Sequence, residues 1–424
     1  MALQENRIRD GITIIGGGTT GYLATLYIAK NYPDTQVEWI YPEVNNPIGV
    51  GEATVPDVTH FLEDLGIDIK KILRDINGSL KLGVKFTDFN KGESFYHPFG
   101  NTESESAELK KCMEDCTVPS DILDYSEIAG HFDVRQLMEY LDTVIPSIPN
   151  ITIKRKFVNS FDEIDNKTII DCTGFSKSLM KEIVPNNFVD ISDKIPNNRA
   201  IVYRSEYQDR SKQQVPYTHA VAKDFGWVWE TPLKDTIAFG YVYDGKYDVK
   251  AEFIEHLKTH FDTVQEDLIK EIPMITGRNK KHIVEHNGKT IITLGLSSFF
   301  IEPIESTGLY LVAYGIKMIN EYFRGRIDAE EYDRVYNYEF DVILDFIIAH
   351  YKFSDRSNDY WSAYKNIDVE LYRENNIFPK RSWSFILSGF KQAEFTPTIN
   401  AAGYMRLRNG QPFHKWITDE SNFK

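Results

Sequence analysis

The chain has 424 residues, 42% of them hydrophobic, and a formal net charge of -15. That length allows two or three domain-sized units, or one large domain with a cap. The acidic balance argues against nucleic-acid or anionic-membrane binding, which need basic patches. No apolar run reaches the length of a membrane span, and the opening MALQENRIRDG has neither a basic nor an apolar signal region. A cytoplasmic protein without a membrane partner is therefore expected. Three cysteines, Cys112, Cys116 and Cys172, exclude a disulfide framework. No neighbouring Cys or His pair completes a zinc site around Cys112 and Cys116, so no metal is expected.

In chain order, ITII (12–15) reads as a short β-branched strand, YLATLYIAKNYP as a helix ended by Pro33, and TQVEWIYP as a second strand. Between the first strand and the helix, Gly16, Gly18 and Gly21 have the spacing G-x-G-x-x-G. In a strand–turn–helix–strand context this is a dinucleotide-binding fingerprint. Gly16 makes the tight turn, Gly18 lets the backbone approach a pyrophosphate, and Gly21 lets helix and strand pack closely. Glu43, just past the second strand, is a weak candidate for the ribose contact. The following NNPIGVGEATVP resembles a loop laid against a ligand, which makes Gly49, Val50, Gly51, Glu52, Ala53 and Thr54 candidate cofactor contacts.

Residues 57–76 look helical, and GSLKLGVKFTDF (78–89) alternates like a strand with Lys81 and Lys85. SFYHPFG (94–100) reads as an aromatic loop, and HFDVRQLMEYLDTVI as an amphipathic helix preceded by Asp133. TIIDCTGF is a strand entering a glycine turn. RAIVYRSEY, FGWVWETPL and TIAFGYVYDG read as antiparallel strands that put Trp227 and Trp229 on one face. Residues 251–271 and 330–365 have helical patterns, and the tail after Phe378 reads as irregular. In FFIEPIESTGLY (299–310), Glu302 and Glu305 sit among apolar residues. A carboxylate there must be paired or used. Thr307 and Gly308 open a helix whose free N–H groups can face an anion.

Taken together, GGGTTGYLA, GSLKLGVKF, YHPFG, GWVWETP and IEPIESTG resemble, in order, the flavin-dependent halogenases related to tryptophan halogenase. Trp227-Val228-Trp229-Glu230-Thr231-Pro232 is similar to that family's W-x-W-x-I-P motif, with Thr231 in place of Ile. The resemblance implies that reduced FAD, supplied by a separate reductase, and O2 oxidise a halide (chloride, bromide or iodide) to hypohalous acid. It implies Lys81 as the residue that receives this oxidant beside an aromatic substrate, and Glu305 as the assisting carboxylate. It places Trp227 and Trp229 by the cofactor, the halide at Thr307 and Gly308, and the substrate at His97 and Phe99. Glu302 reads as a structural partner.

The expected fold is α/β: an FAD-binding Rossmann-like module over residues 1–330, with interleaved antiparallel strands at about 195–245, and a largely helical cap over 331–424 that closes on the substrate. The expected reaction is halogenation of a small indole- or phenol-type aromatic. An FAD-dependent aromatic hydroxylase is the alternative, and a homo-oligomer is the default assembly.

Overall fold

The computed structural model describes residues 8, 10–43, 52–174, 179–374, 376–394, 396–408 and 410–423. Its centre is a six-stranded sheet in the order Ile283–His286, Lys289–Thr293, Thr168–Asp171, Ile12–Ile15, Val37–Tyr41, Ile151–Arg155. All pairs are parallel except the first. Ile12, Ile14, Ile169 and Ile170 are fully buried, as parallel strands covered on both faces should be. The helix Thr19–Asn31 follows the first strand directly. The glycine spacing thus lies at a strand-to-helix turn, as its pattern requires.

A second, seven-stranded sheet runs Lys270–Pro273, Arg199–Glu206, Thr236–Tyr243, Gly226–Pro232, Thr218–Lys223, Gly83–Thr87, Ser94–Pro98. A small three-stranded sheet joins Glu52–Ala53, Ala129–Phe132 and Ser79–Lys81. The run 78–89 is therefore two strands in two different sheets, with Leu82 between them. The SFYHP segment is a strand rather than a loop, because it pairs antiparallel with Gly83–Thr87 and sets His97 opposite Val84. The helix expected over 251–271 stops at Lys258, and Lys270–Pro273 instead pairs with Arg199–Val202. The helical pattern of 330–365 resolves into Ala329–Lys352 and a short Asp359–Ser362. The tail carries a helix, Lys380–Gly389, whose Trp383, Ile386 and Leu387 are buried. The fold is mixed α/β, with a parallel Rossmann-like sheet and a helical C-terminal region.

The HFDVRQL stretch ties two of these units together. Asp133 caps the helix Val134–Val144 by accepting from the Arg135 N–H at 2.9 Å. Its other oxygen lies 2.7 Å from Arg204 on the seven-stranded sheet, and both groups are largely buried. Loss of such a cap costs about 1–2 kcal/mol, and a cation left unpaired adds to it. Asp133→Ala should therefore lower the urea midpoint clearly, while Asp133→Asn, which keeps the cap and loses the ion pair, should lower it less.

Candidate active site

Lys81 ends the Ser79–Lys81 strand and is fully buried, whereas Lys85, in the next strand, is only partly so. The Lys81 ammonium nitrogen donates to the Thr54 carbonyl and to Ser306 Oγ, each at 2.8 Å, and lies 5.3 Å from the Phe99 ring centroid. Burial pushes the Lys81 amine down to about 7, with Glu305 acting in the opposite direction. Ser306 holds a left-handed backbone, φ 61°, which is uncommon outside glycine.

Glu305 is the next residue back. It is 1% exposed. His97 Nδ1 lies 3.1 and 3.0 Å from its two oxygens, and His350 Nε2 lies 2.9 Å from Oε1. The other His350 nitrogen faces the Phe346 carbonyl at 2.8 Å. Burial works to raise the Glu305 carboxyl, and the two histidines outweigh it, leaving the group at about 2. These histidines, more than Lys81, keep Glu305 ionised.

Glu302 has a separate environment. It is fully buried, and accepts from Tyr351 OH at 2.5 Å and from Asn197 Nδ2 at 2.7 Å. Burial raises its carboxyl.

Thr307 precedes the helix Gly308–Phe323, and its Oγ1 is buried with no hydrogen-bond partner. A Cβ built on Gly308 meets nothing within 4 Å. The same openness holds at Gly18, while a Cβ on Gly16 would fall 2.3 Å from the Cys172 carbonyl oxygen and one on Gly21 would fall 2.0 Å from that of Gly16. The turn is thus tight at its first and third glycines and open at its second, where an anionic ligand would approach. Nearby, Asp171 is buried with Oδ2 unpartnered, and burial lifts its carboxyl to about 6. Glu52 is half-buried, and burial lifts its carboxyl to about 7. Ala53 and Thr54 adjoin it, and Thr54 is held by its hydroxyl's bond to the Gly130 carbonyl at 2.7 Å. Gly49, Val50 and Gly51 lie outside the described residues.

Trp227 and Trp229 share one face of their strand, with ring centroids 6.1 Å apart. Residues that sequence reasoning did not assign pack next to His97. Phe346 stacks on Phe378 with centroids 3.7 Å apart, Trp383 meets Phe346 edge-on at 4.7 Å, and His97 lies 6.4 Å from Phe378. His350 and Ser306 were likewise not assigned. Lys81, the His97–Phe99 stretch and Glu305 do come together, the last from more than 200 residues further along the chain.

Known proteins resemble this chain over most of its length. The family model for tryptophan halogenase matches residues 11–126 and 152–406. Tryptophan 6-halogenase ThaL of Streptomyces albogriseolus is 25% identical over 87% of this chain and 82% of its own. Tryptophan 7-halogenase KtzQ of Kutzneria sp. is 26% identical over 88% and 83%. The structure of BrvH, a flavin-dependent halogenase from Brevundimonas sp., superposes with a TM-score of 0.79 at 21% identity, covering 98% of each chain. The fold and the glycine turn define a flavoprotein oxidoreductase. The chain belongs to the tryptophan halogenase family and is a flavin-dependent halogenase acting on aromatic substrates. The open second glycine and the orphaned polar atoms at Thr307 and Asp171 fit a bound FAD. No helix among the described residues is long and apolar enough to cross a membrane.

The depressed Lys81 amine has a thermodynamic consequence. Between about 7 and its ordinary 10.5, the unfolded chain binds a proton there that the folded chain does not. Stability contributed by this residue therefore rises with pH across that window. Urea midpoints measured at several pH values should rise more steeply in the wild type than in Lys81→Met; parallel profiles would contradict the buried amine.

Proposed function

We propose that the protein halogenates an electron-rich indole or phenol by capturing hypohalous acid at Lys81, with Glu305 stabilising the positive charge that develops on the ring. The observation that carries this is a buried amine beside Phe99, held by Ser306, with a histidine-clamped carboxylate on the adjoining residue. When bound, reduced FAD with O2 supplies the oxidising equivalents that turn halide into hypohalous acid. Gly16, Gly18, Gly21 and the 49–54 segment would hold the flavin, Trp227 and Trp229 would flank it, and Thr307 and Gly308 would receive the halide. The flavin is supplied reduced by a separate reductase.

The hydrogen bonding of Lys81 supports a carrier role. A neutral amine has two N–H groups, and Thr54 O and Ser306 Oγ accept both, which leaves the lone pair free. That lone pair takes the halogen from hypohalous acid: the N–X bond forms, the O–X bond breaks, and water leaves with the amine proton. The aromatic carbon then takes the halogen from nitrogen. As the C–X bond forms and N–X breaks, the ring proton is released and the amine is restored. A carboxyl held at about 2 is a poor proton acceptor. Glu305 therefore acts as a fixed negative charge facing a cationic intermediate, and the amine, at about 7, is the better base. Phe99, His97 and the Phe346–Phe378–Trp383 group would wall the substrate, with residues 331–424 as its cap.

A product screen tests this reading. The protein would be given a flavin reductase, NADH, air, bromide and a panel of indoles and phenols, beside Lys81→Ala. A bromine isotope doublet in wild-type product that vanishes in the variant is expected; hydroxylated products, or equal bromination by both proteins, would overturn it. Removal of a charge aimed at the transition state typically costs roughly 100- to 1,000-fold in kcat. Glu305→Gln is expected to fall in that range with little change in KM, whereas an unchanged kcat would remove Glu305 from the chemistry.

A further inference from the structure

The opposite face of the tryptophan strand carries a cluster that the halogenation chemistry does not use. Glu230 follows Trp229 and so points away from it, toward the helix Lys250–Lys258. Its Oε1 lies 3.1 Å from His256 Nε2 and 3.2 Å from His260 Nε2. Its Oε2 lies 3.0 Å from His219 Nδ1. Glu230 and His256 are buried, and His260 is partly so.

The spacing of His256 and His260 is the first argument. His256 lies in the last turn of the helix and His260 in the turn just past its end, where its N–H donates to the Leu257 carbonyl at 2.9 Å. Their ring centroids are 5.3 Å apart, with Phe239 beneath both as an apolar floor. Ligand geometry is the second. Zinc bonds to carboxylate oxygen and imidazole nitrogen run about 2.0–2.2 Å, which puts tetrahedral neighbours about 3.3–3.5 Å apart. The two Glu230–His separations come within a few tenths of an ångström of that.

A third argument is the unpartnered nitrogen. His256 Nε2 is buried and approaches Oε1 without hydrogen-bond geometry. An imidazole nitrogen and a carboxylate oxygen that converge without a hydrogen bond between them are a metal-binding arrangement. The surroundings add a fourth. His219 Nε2 lies 2.8 Å from Thr87 Oγ1, while its Nδ1 faces the free Glu230 oxygen. A ring that orients a ligating carboxylate from behind is the usual outer support of such a site.

We propose that Glu230, His256 and His260 form a binding site for one divalent transition-metal ion of the zinc class, with His219 as the positioning residue for the carboxylate. Three protein ligands leave a fourth position for water. The ion would pin the Lys250–Lys258 helix to the strand that carries Trp227 and Trp229. The expectation of no metal came from cysteine spacing alone, which does not bear on a site built from His and Glu.

The test uses the full chain without a histidine tag, stripped with a chelator and dialysed against zinc chloride, with metal counted by mass spectrometry. One zinc per chain is expected, together with a rise in melting temperature. Cobalt(II) substitution should give the intense visible absorption of tetrahedral coordination. Both signals should be lost in His260→Gln, and His219→Ala should weaken binding roughly 10- to 100-fold while keeping the tetrahedral spectrum. If the stripped wild-type protein takes up no zinc, the cluster is a hydrogen-bonded carboxylate–imidazole network and the proposal fails, whatever the variants do. Uptake that His260→Gln leaves unchanged would overturn it equally.

Discussion

A buried carboxylate clamped between two imidazoles is the constraint on which the rest of this site depends. Glu305 sits in an environment that by itself would neutralise it. His97, from the edge strand of the seven-stranded sheet, and His350, from the long C-terminal helix, reverse that outcome. Because each partner comes from a different element, the charge state of Glu305 reports correct assembly of the sheet, the 301–307 loop and the helix together. It also divides the labour in the proposed chemistry. A carboxylate this weakly basic is suited to opposing positive charge and unsuited to removing protons.

Lys81 follows the converse logic. Its burial works to neutralise it, and among the described residues Glu305 acts in the opposite direction without outweighing it. The backbone carbonyl of Thr54 and the hydroxyl of Ser306 fix the direction of its amine without stabilising its cation as a salt bridge would. The left-handed turn at Ser306 serves both residues, since it presents Oγ to Lys81 while the preceding Glu305 faces the histidines. The IEPIESTG stretch therefore does three things in sequence. Glu302 is locked by Tyr351 and Asn197, Glu305 is charged by His97 and His350, and Ser306 aims the lysine.

Much of this was legible in the sequence, and the omissions have physical reasons. The glycine turn was readable because its spacing and its strand–helix context are both local. Lys81 and Glu305 were readable only through family resemblance. The single alternating run 78–89 hides the switch between sheets at Leu82, and that switch is what buries Lys81. His350 had no local signal, since it lies on an ordinary amphipathic helix 45 residues from Glu305. The helix over Lys380–Gly389 could have been found. Trp383, Ile386, Leu387 and Phe390 repeat at helical spacing, but scattered Gly and Pro in the tail masked it. The aromatic strand 94–98 read as a loop because its pairing partner, not its composition, makes it a strand.

The central claim is that Lys81 captures an oxidant that would otherwise diffuse away. The most direct measurement partitions that oxidant between the aromatic substrate and a small scavenger present in solution, at equal rates of halide oxidation, in wild type and Lys81→Met. The wild type is expected to direct most halogen to the substrate, and Lys81→Met to send nearly all of it to the scavenger with flavin turnover unchanged. The same partition in both proteins would contradict it.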